Sequence, residues 1–302
     1  MKLYKRGSII LLLVVCIMLA GCGTSMNTKR FTESDKISIV TSIYPVYDFA
    51  CNIAGDKAEI INLVPAGMEP HDFELSTNDM QLLESADMFI YNGADMEHFV
   101  DKTLNSLSNE DLCVVETAKD VKVLESGEHQ DPHTWLSVAN AMKQAEAIKE
   151  ALISVDTDNA SYYEDNYSQY IEKLETLHQS YKEELQPYEG RSIVVAHEAF
   201  GYLCKEYGLK QEGIEGLSAD SEPDSARMKE IVDFCKENDI KVIFFEELVS
   251  PKVAQTIADE IGAETMVLNP IEGLTSSQME GGVDYIRLME QNLENLKEAL
   301  QK

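Results

Sequence analysis

Residues 157–186 contain no glycine and no proline, and Tyr163, Tyr167, Tyr170, Leu174, Leu177, Tyr181 and Leu185 recur along them at intervals of three or four. Side chains at that spacing share one face of an α-helix, so the stretch predicts a single amphipathic helix. At ~1.5 Å per residue it runs about 45 Å, with Pro187 marking its end. A rod of that length near the middle of a 302-residue chain forces the remainder to organise on either side of it.

Both flanks alternate strand-like and helix-like segments. Strands are expected at 36–42, 59–64, 87–91 and 112–116, and again at 192–196, 211–215, 241–246 and 264–268. Helices are expected at 46–54, 78–85, near Phe200, and at 224–238, 251–261 and 276–300, the helix at 251 opening on a serine cap at Ser250 with Pro251 in its first turn. Such alternation builds mainly parallel sheets covered by helices. The expected fold is therefore α/β, with two lobes joined by one long rigid helix: residues 36–153, the linking segment 154–188, and residues 189–302.

The beginning of the chain has a different character. Lys2, Lys5 and Arg6 precede an apolar run over 8–20 that is short for a membrane span, and Leu19-Ala20-Gly21-Cys22 follows. Residues 1–21 read as a signal peptide, and small residues before a cysteine resemble the lipobox of bacterial lipoproteins. Cys22 is then the lipidated residue, 22–35 a flexible tether, and the protein an extracytoplasmic, membrane-anchored one; an ordinary signal peptide is the alternative. The 54 acidic against 25 basic residues, a net charge of −29, argue against nucleic acid as a partner and favour cations near the surface. Cys51, Cys113, Cys204 and Cys235 form no CxxC pair and sit in apolar patterns, so they read as small buried hydrophobes, with a disulfide left open.

Three of the six histidines fall where an open parallel sheet binds its ligands, beyond the carboxyl ends of strands. His71 follows the second expected strand, His133 follows the fourth and His197 ends the fifth. Pro70 and Pro132 stiffen the first two loops, and Asp131, two residues before His133, is a candidate to hold the second ring nitrogen of that imidazole. His98 and His178 read as surface residues, and His129 as part of a polar acidic loop.

The segments IYPVYDFACNIAGD, LVPAGMEPHDFELS, DPHTWLSV, VVAHEAFGYL, GLSADSEPDSARM, IFFEELVSPK and LNPIEGLT, taken together in this order, resemble the zinc and manganese solute-binding lipoproteins of bacterial ABC transporters. The resemblance covers the chain from about residue 37 to its C-terminus. It implies a metal held between two lobes, with His71, His133, His197 and Glu272 as ligands, and delivery of that metal to an ABC permease and its ATPase by a monomeric binding protein. Gly273 is expected to supply the sharp turn beside Glu272. Zn2+ is the expected metal, because three imidazoles and one carboxylate suit a tetrahedral ion, whereas Mn2+ prefers more oxygen donors. Glu198 is expected to point away from the site, and Glu246 and Glu247 to matter for folding more than for metal. The alternatives are a manganese-binding member of the same family and, in a different class, a zinc hydrolase; a metal-indifferent surface adhesin is a third. The missing second histidine of an HExxH motif, with Gly201 in its place, argues against the hydrolase.

Overall fold

The computed structural model describes residues 30–32, 35–127, 129–217 and 223–302, so the expected signal peptide, Cys22 and most of the tether lie outside the described residues. Residues 31–302 form one compact unit. Among the described residues no helix is long and apolar enough to cross a membrane.

Strands β1 (Ile37–Thr41), β2 (Ala58–Asn62), β3 (Met88–Tyr91) and β4 (Cys113–Glu116) form a parallel sheet in the order β2-β1-β3-β4. A two-stranded ribbon follows, β5 (Glu125–Ser126) antiparallel to β6 (His129–Gln130). Strands β7 (Ser192–Val195), β8 (Lys210–Gly213), β9 (Val242–Phe245) and β10 (Glu264–Val267) form a second parallel sheet, ordered β10-β9-β7-β8. The second sheet repeats the winding of the first: in each, the opening strand pairs with both the second and the third, so the chain reverses direction across it. Ligands of such sheets sit at the carboxyl-end crevice formed there.

Ten α-helices are described: α1 (Tyr44–Ala54), α2 (Thr77–Ser85), α3 (Val100–Leu104), α4 (Val138–Val155), α5 (Ala160–Leu185), α6 (Gly201–Tyr207), α7 (Ser225–Glu237), α8 (Lys252–Ile261), α9 (Ser276–Glu280) and α10 (Tyr285–Gln301). The expected rod is α5, with 26 residues rather than thirty. Asp156 breaks the chain ahead of it, where its carboxylate accepts from Tyr163 Oη at 2.7 Å and Asn159 Nδ2 at 2.6 Å, and single 3-10 turns flank both ends. Six of the seven stripe residues are buried, Tyr167 being half-buried. Helix α4 has no counterpart in the sequence expectations, although Ala141, Ala145, Ile148 and Leu152 mark its buried face. The helix expected over 276–300 is two helices: Gly281 and Gly282, the latter at φ 64°, stop α9 before Asp284 caps α10. Pro251, not Ser250, occupies the N-cap of α8, and no side chain caps it.

The opening strand of each sheet has one face on a shared core and the other on a local one. Ile39 of β1 and Ile193 and Val195 of β7 join a cluster that also takes in Tyr163, Tyr170, Leu174, Leu177, Tyr181 and Leu185 of α5 and much of α10. Val40 and Val194, pointing the opposite way, belong to separate outer clusters. The lobes are thus continuous through the core, and direct bonds reinforce this. Trp135 Nε1 donates to the Pro270 carbonyl at 2.7 Å, Tyr285 Oη to the Trp135 carbonyl at 2.6 Å, and Gly67 N to the Leu274 carbonyl at 2.7 Å. The four cysteines within the described residues are free, two of them fully buried.

Candidate metal centre

Four loops at the carboxyl ends of the two sheets bring His71, His133, His197 and Glu272 together, with one donor atom from each lying within 4.8 Å of all the others. His71 is in a single 3-10 turn after β2 that opens on Pro70. His133 follows β4 and the ribbon, just ahead of the turn that leads into α4. His197 lies two residues beyond β7 and Glu272 five beyond β10. The first two come from one lobe, the second two from the other.

Glu272 Oε1 lies 2.9 Å from His133 Nε2, 3.3 Å from His197 Nε2 and 3.8 Å from His71 Nε2, and the two Nε2 atoms of His133 and His197 are 3.3 Å apart. A tetrahedral Zn2+ with bonds of about 2.0–2.2 Å sets its ligand atoms about 3.3 Å from one another, so Glu272 Oε1 and the Nε2 atoms of His133 and His197 already lie near three corners of such a polyhedron, with His71 Nε2 farther from the carboxylate at 3.8 Å. The side chains of His133, His197 and Glu272 are at most 1 % exposed, and that of His71 is 9 %. Although Oε1 is close enough to His133 for a hydrogen bond, neither Glu272 oxygen completes one, and His71 Nε2 has no partner either. Buried polar atoms that aim at a common point without pairing are what a cation site requires and what a packed core avoids.

The opposite ring nitrogens are held. His133 Nδ1 sits 2.8 Å from Asp131 Oδ1, which also accepts from the His133 backbone N–H at 3.0 Å. His197 Nδ1 is paired in the same way with the buried carboxylate of Glu246. A proton retained on Nδ1 leaves the Nε2 lone pair free for a metal. Glu246, expected to matter for folding more than for metal, is thus in direct contact with one of the expected ligands. The signal was in the strand register: β7 and β9 pair Val195 with Phe244, so the residues two further along, His197 and Glu246, emerge side by side. Glu247, by contrast, is exposed and bonds Asn269 and Gln278. Glu69, two residues before His71, was also missed. Burial and the neighbouring Glu272 carboxylate push its carboxyl up.

Electrostatics follow from this packing. Burial opposes charge on His133, yet Asp131 and Glu272 outweigh it and raise its pKa above 6.5. His197 rises well above 6.5, again against burial, because Glu246 and Glu272 face it. Burial would lift Glu272, but the imidazoles around it hold its carboxyl well below 4.5. Without metal, protons on the imidazoles balance the buried carboxylates.

The loop carrying Glu272 is conformationally unusual. Ile271, fully buried, has φ 60°, a left-handed conformation that costs a β-branched residue on the order of 1–3 kcal/mol. The sharp turn therefore lies at Ile271; Gly273 does not have a positive φ. Tyr44 N donates to the Glu272 carbonyl at 3.3 Å across the lobes.

Other sequence candidates fall outside the cage. Glu198 accepts from Ser126 Oγ at 3.1 Å, as its expected direction required. His98 and His129 are exposed. His178, expected on the surface, is half-buried, with Nδ1 2.9 Å from Tyr207 Oη. Gly201, where HExxH would need histidine, has no room for a side chain: a Cβ there would stand 2.7 Å from Asp131 Oδ2.

Two parallel-sheet lobes sharing a buried cage of three imidazoles and one carboxylate define a two-lobed solute-binding protein. The chain belongs to the ZnuA family, zinc-uptake complex component A, periplasmic, whose model matches residues 39–299. That family comprises zinc-uptake binding proteins, not enzymes. The high-affinity zinc uptake system protein ZnuA of Bacillus subtilis is 39 % identical over 99 % of both chains. The zinc-binding lipoprotein AdcA of Streptococcus pneumoniae is 37 % identical over 98 % of this chain, which spans 61 % of that longer protein. The crystal structure of the Zn(II)-bound ZnuA-like domain of Streptococcus pneumoniae AdcA superposes with a TM-score of 0.80 at 41 % identity, covering 88 % of this chain and all of that one.

Proposed function

We propose that this chain is an extracytoplasmic, lipid-anchored binding protein that captures Zn2+ with His71, His133, His197 and Glu272 and delivers it to an ABC permease driven by its ATPase. The observation that carries this reading is the convergence, within 4.8 Å, of three imidazole nitrogens and a buried carboxylate without a hydrogen-bond partner. Nitrogen-rich, four-donor chemistry favours Zn2+ over Mn2+. Four protein donors also leave no open position for a hydrolytic water. In this reading 1–21 is the signal peptide, 22–35 the lipidated tether, and 36–153 and 189–302 the two lobes that meet on the metal, linked by 154–188. The protein acts as a monomer.

Zinc binding is expected to weaken as pH falls, starting above pH 6.5. Zn2+ must displace the protons that the raised pKa values of His133 and His197 retain, while Glu272 stays ionised until well below pH 4.5. In the metal-free protein the same two histidines add stability that is fully present below their unfolded pKa near 6.5 and lost as pH rises through the folded values. Zinc should accordingly raise the melting temperature more at pH 8 than at pH 6. Chelator competition from pH 8 to 5 measures the first effect, and an affinity flat over that range rules out a site built from histidines.

The anchor has its own test. Cys22→Ala should move the protein from the membrane fraction to the soluble one and abolish incorporation of labelled fatty acid. Retention of unlabelled protein in the membrane contradicts lipidation at Cys22.

A further inference from the structure

Helix α10 packs an apolar face on the shared core, yet one position on that face is a carboxamide, Asn292, only 1 % exposed. A buried amide is tolerated when its donors and acceptors are used. Asn292 directs both ends of its amide at a single residue of the Glu272 loop. Its Oδ1 accepts from Asn269 N at 2.8 Å, and its Nδ2 donates to the Asn269 carbonyl at 2.7 Å. The side chain thereby treats Asn269 as one strand treats its neighbour.

Asn269 passes the constraint on. Its own Oδ1 accepts from Ile271 N at 2.7 Å while its Nδ2 is tied to Glu247 at 2.8 Å. Ile271 is the residue held at φ 60°. Nothing in a β-branched side chain favours that conformation, so the surrounding bonds must impose it. With Ile271 left-handed, the next residue turns its carboxylate toward the three imidazoles; with a relaxed, negative φ the same carboxylate leaves them.

We infer that Asn292 is a positioning residue for Glu272: through Asn269 it holds the strained turn at Ile271 and so fixes the carboxylate in the cage, without touching the metal itself. The inference rests on the zinc site proposed above. It differs from a plain packing role, in which losing Asn292 would lower stability and leave the zinc affinity of the folded protein unchanged.

A double-mutant cycle separates the two. Zinc dissociation constants are measured by chelator competition for the parent, Asn292→Ala, Glu272→Ala and the double variant. Asn292→Ala should weaken binding about 10–100-fold, the usual range for groups that orient a ligand. The double variant should bind within about twofold of Glu272→Ala alone, because residues acting through one another are not additive. Asn292→Asp, which keeps the side-chain volume and the acceptor for Asn269 N, provides a second variant if the first fails to fold. Cobalt(II) substitution supplies an independent readout, since replacing the carboxylate with water should change the visible absorption spectrum of the centre. Additive losses, or an Asn292→Ala protein with parental affinity and cobalt spectrum, overturn the positioning role. Parental affinity in Glu272→Ala instead removes the fourth ligand, and the positioning role falls with it.

Discussion

Glu272→Ala is expected to weaken zinc binding by about a hundredfold or more, since residues that merely orient ligands are already worth about 10–100-fold. Residual affinity from the three imidazoles remains, with water completing the coordination. At pH values above the folded pKa values of His133 and His197, the metal-free variant should be no less stable than the parent. Both Glu272 oxygens are buried without a hydrogen-bond partner, and above the folded pKa values of His133 and His197 the imidazole protons that balance this carboxylate are gone, so it burdens the folded state until a cation compensates it. Loss of affinity without loss of metal-free stability distinguishes a ligand from a structural glutamate. Glu198→Ala is the control, because that carboxylate serves Ser126 on the neighbouring ribbon; if it loses zinc while Glu272→Ala does not, the fourth ligand is misassigned.

The second large effect is expected at Glu246. Removing its carboxylate leaves His197 Nδ1 without its buried acceptor, so the neutral ring is free to keep its proton on Nε2, the atom that faces the other ligands. Zinc affinity should fall about 10–100-fold in Glu246→Ala, with partial recovery in Glu246→Gln, whose amide oxygen can still accept from Nδ1. The check is chelator competition with melting curves for the metal-free proteins. Equal affinity of both variants and the parent would return Glu246 to a purely structural role.

Much of this site is legible in the amino-acid sequence, because its parts lie at strand ends and strand ends are visible in the hydrophobic pattern. His197 directly follows an apolar run, His71 and His133 lie in the loops after two others, and Asp131 lies two residues from the ring it holds. The identity of Glu272 as the fourth partner came from its resemblance to family sequences. Glu246 was not legible, since its contact with His197 depends on β9 lying beside β7 in matched register, a property of strand order rather than of local sequence. The turn at Ile271 was hidden for the opposite reason: its local preference contradicts its conformation, and the bonds around it run through Asn269, which Asn292 holds from α10, and through the Pro270 carbonyl, which Trp135 holds. The long helix was visible through its stripe. The break at Gly281 and Gly282 was not, because the apolar spacing resumes beyond it.

The central claim is that one Zn2+ sits between the lobes on these four side chains. A crystal structure of the zinc-loaded mature chain, with anomalous difference maps on either side of the zinc absorption edge, tests it most directly. The account predicts one strong peak, about 2.0–2.1 Å from the Nε2 atoms of His71, His133 and His197 and about 2.0–2.2 Å from a Glu272 oxygen. A peak elsewhere, or one on the three imidazoles with Glu272 turned away, would contradict it.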